Sequence, residues 1–203
     1  MIKNTIRIIL ASASSRRLTL LRDIGLKFTS RVSSIEENMP PLSARMQGKP
    51  DARAVFLAGM KADDVARGEK GNALIIAADT IVVMGTRIIG KPKDRQDAEK
   101  ILRLLSGKTH KVITGVCILK IREQVRVKFS VTTEVTMLGM SDRDIRWYVR
   151  TGEPMDKAGA YGIQGMGGIF VQKIKGSYTN VVGLPLPELI GALKKLNAIE
   201  MVG

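Results

Sequence analysis

Six consecutive apolar residues, Ala73-Leu74-Ile75-Ile76-Ala77-Ala78, run straight into the carboxylate of Asp79. The run is too short to span a membrane and too uniformly apolar for a strand with one wet face. It therefore reads as a strand covered on both faces, ending where Asp79-Thr80 begins. Ile81-Val82-Val83 continues toward a turn near Gly85, and Arg87-Ile88-Ile89 leads to Gly90-Lys91-Pro92. A strand that delivers a carboxylate to its terminus sets it where ligand sites of α/β proteins lie.

The rest of the chain alternates helix and strand signals. Ile6 to Leu10 is rich in β-branched residues and reads as a buried strand, followed by the small-residue turn Ala11-Ser12-Ala13-Ser14-Ser15. A helix should follow, capped by Ser14 or Ser15, with Leu18, Leu21 and Ile24 inward and Gly25 as its stop. Leu26 to Ser33 predicts a second strand leading to Glu36-Glu37, and Met39-Pro40-Pro41 breaks regular structure. Val55, Phe56, Gly59 and Met60 mark a helix over about 51–67. Asp94 caps a clear helix that Gly107 ends, while Val112–Leu119 and Gln124–Met137 alternate as neighbouring antiparallel strands. Ser141 with Asp144 forms a capping-box signature opening a helix to Thr151, and Pro187 opens a last helix through Leu189, Ile190, Leu193 and Leu196. Between them, Gly152, Gly159, Gly162, Gly165, Gly167, Gly168, Gly176 and Gly183 imply unusual backbone angles or close approach of backbone to something else. There is no internal repeat and no clean linker. The class is α/β with a partly antiparallel sheet, in a single domain over 1–203.

Composition narrows the chemistry. With 44% hydrophobic and 26% charged residues this is an ordinary globular balance, and no run approaches the roughly 20 apolar residues of a membrane span. Met1-Ile2-Lys3-Asn4 leads straight into a strand-like run without the apolar stretch of a signal peptide, and Cys117 is the one cysteine, so a reducing, cytoplasmic setting is expected. The net charge of +14 fits either a phosphate-binding surface for nucleic acid or a field that focuses a small anion. Lys and Arg are spread rather than clustered, and aromatics are 4%, which disfavours nucleic acid.

One histidine, His110, and one cysteine cannot build a zinc site, no P-loop run is present, and no Gly-x-Ser-x-Gly elbow accompanies His110. What remains is carboxylates and cations on loops at strand ends. Asp79, with Glu36 or Glu37, suits a hard divalent ion that wants one or two carboxylates plus substrate phosphates. Ser12, Arg16 and Arg17 surround a strand-to-helix turn whose free N–H groups can hold phosphate. Lys91 is stiffly presented between Gly90 and Pro92, whereas Lys61, inside a helix, reads as surface. Together they point to phosphoryl or nucleotidyl chemistry driven by positioning and electrostatics.

Leu10-Ala11-Ser12-Ala13-Ser14-Ser15-Arg16-Arg17 resembles the opening motif of the Maf family, whose usual form has proline where Ser15 stands. Ala78-Asp79-Thr80-Ile81-Val82, Gly90-Lys91-Pro92, Leu105 to Val112, Asp156 to Gly165, Gly176-Ser177-Tyr178 and Asn180 to Pro185 resemble its later motifs in order. The resemblance runs over about 8–186. It implies a fold related to inosine-triphosphate pyrophosphatases: a curved mixed sheet flanked by helices, with two lobes and a central cleft. It implies hydrolysis of a nucleoside triphosphate to monophosphate and pyrophosphate, a divalent metal (Mg2+ or Mn2+) and a homodimer. Asp79 matches the general base, and Glu37 with Asp79 the metal carboxylates. Ser12, Arg16, Lys61 and Lys91 match residues around the triphosphate; Arg17, Thr80 and Gln164 match positions tied to substrate choice. Asp156 to Gly165 resembles the branch acting on dTTP and UTP, which suits a glutamine amide able to pair with O4 and N3–H of a pyrimidine. Purine or 7-methyl-GTP specificity on the same fold, or a non-catalytic nucleic-acid-binding or septum-related role, are the alternatives. Serine at position 15 relaxes the φ restriction of proline while offering another cap, so the phosphate turn is expected to survive.

Overall fold

The computed structural model describes residues 1–35 and 48–203. Its elements in chain order begin with β1 (Ile2–Asn4), β2 (Arg7–Leu10), α1 (Ser15–Asp23), β3 (Thr29–Ser30) and α2 (Pro50–Arg67). Then come β4 (Ala73–Met84), β5 (Arg87–Ile89), α3 (Arg95–Leu105), β6 (Thr109–Lys120), β7 (Val125–Met137) and α4 (Asp142–Arg150). Three 3-10 turns, Glu153–Asp156, Ala158–Ala160 and Gly165–Phe170, precede β8 (Val171–Lys175), α5 (Tyr178–Val182), α6 (Leu186–Lys195) and β9 (Ile199–Met201). Among the described residues the sheet order is β3-β2-β4-β6-β7-β8 with β5 on β4, and β1 pairs with β9 in a separate antiparallel ribbon. The fold is thus α/β with a mixed sheet. No helix among the described residues is long and apolar enough to cross a membrane.

The chain divides into two compact units: Met1–Asp79 with Thr114–Val131 and Gly183–Gly203, and Thr80–Ile113 with Thr132–Val182. In the first, β2 runs parallel to β3 and to β4, with Leu10 opposite Ile76. Alternation along β2 and β4 sends Ile9, Ala11, Ala73, Ile75 and Ala77 into a core with Ala58, Ala62 and Val65 of α2 and Cys117 and Leu119 of β6. Ile8, Leu10, Leu74 and Ile76 on the opposite faces are buried as well, so these strands are covered on both sides as the apolar run implied. Small residues let α2 lie against the sheet. A β-carbon at Gly115 would stand 2.2 Å from the carbonyl carbon of Ala54, so helix and strand backbones touch there.

In the second unit, β4 continues and pairs antiparallel with β5, Val82 opposite Ile89, and β7 pairs antiparallel with β8 across a bulge at Thr136/Met137. Its core joins Ala98, Leu102 and Leu105 of α3 to Ile145, Tyr148 and Val149 of α4 and to Ala160, Tyr161 and Phe170 of the 3-10 turns. The helix stops and starts follow their local signals. Asp94 accepts from the Asp97 amide at 2.8 Å, Ser141 and Asp144 close a full capping box, and Gly25 and Gly152 adopt φ of +72° and +78°. β6 and β7 are sheet neighbours joined by residues 121–124, a connection only antiparallel strands permit.

Two expectations change. The strand read over Leu26–Ser33 shrinks to Thr29–Ser30, since β3 finds pairing only against Ile9 and Leu10. Asp79 does not end its strand. The β-branched residues Ile81, Val82 and Val83 carry β4 on to Met84 with β5 as partner, so Asp79 sits between the stretch paired with β2 and the stretch paired with β5. It lies near the end of β2 rather than the end of β4.

Candidate active site

The turn after β2 builds the first part of the site. The Ala11 amide donates to Ile76 O at 2.8 Å, extending the parallel pairing by one residue before the chain leaves the sheet. Ser12, buried, then folds back: its Oγ accepts from the Ser14 amide at 3.1 Å and its carbonyl accepts from the Ser30 hydroxyl at 2.8 Å. Ser14 is the N-cap of α1, its Oγ 3.5 Å from the Arg17 amide, and the first turn carries no acidic residue. Ser15 is the first helical residue, the position where proline is favoured because the missing N–H is unused. Serine there leaves the cap intact. Arg17 is 8% exposed; its Nε donates to Gly183 O at 2.8 Å and its Nη1 approaches Ser12 Oγ at 3.4 Å. Arg16 is half-buried beside it.

Lys61 and Asp79 form the second part. Lys61 lies on the face of α2 that also carries Ala58, Ala62 and Val65, and its Nζ stands 2.6 Å from Asp79 Oδ1, each side chain 8% exposed. The surface position expected for Lys61 is therefore corrected: its stem is buried with the helix face, and Asp79 supplies the counter-charge a buried ammonium requires. One turn on, Asp64 accepts from the Ser34 amide at 2.7 Å and from the hydroxyls of Ser33 and Ser34 at 2.9 Å. The Ser34 amide, and then the two hydroxyls, hold its carboxyl below the usual range. This clamp ties residues 33–34 to α2 and was not legible from local spacing. Glu36 and Glu37 lie outside the described residues. Among the described residues no group of three or more His, Cys, Asp or Glu converges, so Asp79 is the carboxylate of the proposed metal set that can be placed. A single carboxylate is compatible with Mg2+ held mainly by substrate phosphates.

Thr80, Lys91 and Gln164 belong to the second unit. Lys91 is exposed, between Gly90, whose carbonyl accepts from the Gly159 amide at 3.0 Å, and buried Pro92. Gln164 is half-exposed on extended backbone, just before the turn Gly165–Phe170. The glycines around it make room for protein rather than open space. A β-carbon at Gly167 would meet Tyr148 Oη at 2.3 Å, and one at Gly165 would meet Glu153 Oε2 at 2.8 Å. Glu153 accepts from the Tyr148 hydroxyl at 2.8 Å and from the amides of Met166 and Gly167 at 2.9 and 3.0 Å. Partial burial raises its pKa, but the two amides, the Tyr148 hydroxyl and Lys157 together outweigh burial and leave it lowered. Lys157 spends its ammonium on Glu153 O and Asp156 Oδ1, both at 2.6 Å. Tyr148 and Glu153 were not singled out in the sequence; the density of glycine was the available signal. His110 is 2% exposed, its Nε2 2.7 Å from Tyr161 Oη, and burial lowers its pKa to about 4. It braces the loop as a neutral ring. Cys117 is a buried core residue on β6.

A profile of the Maf-like protein family matches residues 7–196. The dTTP/UTP pyrophosphatase of Ruminiclostridium cellulolyticum is 48% identical over 191 residues, 94% of this chain and 96% of its own length. Those of Clostridium botulinum and Geotalea uraniireducens are 46% and 47% identical, over 90% and 95% of this chain and 95% and 96% of theirs. The chain belongs to the Maf family.

Proposed function

We propose that this chain is a nucleotide pyrophosphatase that cuts dTTP and UTP to the monophosphate and pyrophosphate, with Asp79 as general base. The observation that carries the reading is the Lys61–Asp79 pair at 2.6 Å, a charged pair held inside the protein between α2 and β4, the strand that pairs with β2 ahead of the capped β2–α1 turn. A carboxylate within reach of the attacking water can serve as its general base. Asp79 takes the proton of the water that attacks the α-phosphorus. The bond between that phosphorus and the bridging oxygen breaks, and the electron pair leaves with pyrophosphate. Ser12, Arg16 and Lys61 contact the triphosphate, helped by the amides at the start of α1, and Lys91 adds a further cation. Arg17, whose guanidinium fixes Gly183 and the Ser12 turn, acts with Thr80 and Gln164 in substrate choice. Asp79 and Glu37 would hold Mg2+ or Mn2+, which neutralises phosphate charge when bound. The pyrimidine assignment is supported by relatives at 46–48% identity that are named dTTP/UTP pyrophosphatases. It is also supported by the placing of an amide side chain, Gln164, in a half-exposed loop. The working assembly is a homodimer.

The test is pyrophosphate release from a panel of nucleoside triphosphates with Mg2+, beside Asp79→Asn and a chelated control. Release from dTTP and UTP, abolished by the variant and by chelation, is the expected result. Release only from purine or 7-methyl-GTP substrates would overturn the pyrimidine assignment, and no release from a folded protein would overturn the enzyme reading. Light scattering gives the assembly against a chain mass of 22.2 kDa.

A further inference from the structure

We infer that Glu153, with Tyr148, is the positioning residue for base selection, holding the loop that presents Gln164. The inference rests on the proposed reading of Gln164. The loop leaves the buried Tyr161, passes Gly162, Ile163 and Gln164, and turns into Gly165–Phe170. Its amides are gathered from both sides of Gln164 by two side chains. Gly162 donates to Tyr148 Oη at 3.1 Å; Met166 and Gly167 donate to Glu153 at 2.9 and 3.0 Å; Tyr148 Oη donates to the same carboxylate at 2.8 Å. The carboxylate thus sits in a nest of N–H groups, as a bound anion would.

The glycines follow from this arrangement. Gly165 has φ of +76°, and a side chain there would press on Glu153 Oε2, while one at Gly167 would press on Tyr148 Oη. Tyr148 is fully buried on α4, whose start is fixed by its capping box, so the anchor is tied to a rigid element.

Chemistry explains why an anchor is needed. A glutamine amide pairs with O4 and N3–H of uracil or thymine in one orientation. Turned over, the same amide pairs with the N4 amine and bare N3 of cytosine. A glutamine that can turn over therefore accepts both bases, so selection also depends on where the loop backbone sets the amide against the base, within the roughly 0.5 Å that recognition tolerates. Glu153 and Tyr148 supply the fixed backbone.

The experiment compares kcat and KM for dTTP, UTP, dCTP and CTP in the wild type, Gln164→Ala, Glu153→Gln and Tyr148→Phe, with Tm and amide exchange at Met166 and Gly167. Glu153→Gln turns one acceptor oxygen into a donor facing a backbone N–H. The ratio of kcat/KM for UTP over CTP is expected to fall about fivefold to tenfold, the value of one lost neutral hydrogen bond, mostly through KM for UTP. Faster exchange at the two amides should accompany it. Tyr148→Phe, which leaves the carboxylate in place, should lower the ratio less and serves if Glu153→Gln does not fold. Loss of selection in Gln164→Ala alone, with the ratio unchanged in both anchor variants, would overturn the positioning role and leave Gln164 standing. An equal loss on all four substrates in the anchor variants would overturn it too. An unchanged ratio in Gln164→Ala would instead remove the reading of Gln164, and the inference with it.

Discussion

Replacing Lys61 by methionine keeps the length of the side chain and removes the ammonium that stands 2.6 Å from Asp79 Oδ1. Both side chains are 8% exposed, so the carboxylate left behind has little water to replace its partner. Removing one member of a buried pair costs about 3–5 kcal/mol, because the other is left as an uncompensated buried charge. With a urea m-value of about 2 kcal/mol/M, the unfolding midpoint should drop by roughly 1.5–2.5 M. Circular dichroism on Lys61→Met, Asp79→Asn and the double variant closes a double-mutant cycle. The double variant should be less destabilised than the two singles together, with a coupling energy of about 1–3 kcal/mol. Arg103→Met is the control, since Arg103 meets Asp142 at 2.8 Å with side chains 42% and 61% exposed, where solvent screens the pair and its loss should barely move the midpoint. Salt should erode the exposed pair and spare the buried one. A loss below about 1 kcal/mol for Lys61→Met, at unchanged m, would show the Asp79 carboxylate to be solvated and refute the argument from burial.

Three further expectations follow from single contacts. Gly115→Ala forces a methyl to within 2.2 Å of the Ala54 carbonyl carbon, backbone against backbone, so a drop in Tm equivalent to about 3 kcal/mol or more, at or beyond the top of the usual overpacking range, or a failure to fold is expected. His110, whose pKa falls from 6.5 to about 4 by burial, is protonated more readily in the unfolded chain. Its contribution is therefore full above about pH 6.5 and is lost as pH falls through 4, up to roughly 3 kcal/mol, and the stability gap between wild type and His110→Gln should narrow by that amount between pH 7 and 4. Ser141→Ala removes the acceptor of the Asp144 amide at the start of α4 and should cost about 1 kcal/mol in denaturant unfolding.

Helix ends were legible because their signals are local. Asp94, Ser141, Gly25 and Gly152 act on backbone groups within four residues, and each does in the structure what its position implied. The short strands were less so. β1, β8 and β9 have three to five residues each, too few for a period to emerge, and exist because a partner strand meets them. Lys61 shows the same limit in the site. A lysine inside a helix reads as surface, and the Asp79 that draws it into the interior is 18 residues away on another element.

Asp79 and the glycines show the same limit, because in each case the signal is local while the group that explains it lies on another element. The change from Ala78 to Asp79 marks a change of polarity, which usually ends a buried strand. Here a charge can lie within β4 because Lys61 neutralises it from α2, so the strand runs five residues beyond the polarity step. A buried ion pair gives little stability over apolar residues of the same volume. Its presence in the middle of a strand buried on both faces thus answers a demand of chemistry rather than of folding. The glycine-rich segment likewise announces close approach, and the approaching groups are Tyr148 and Glu153 of the protein itself. A sequence reports that space is needed at Gly165 and Gly167; which side chain fills it depends on α4 and the turn at Glu153 folding back onto the loop.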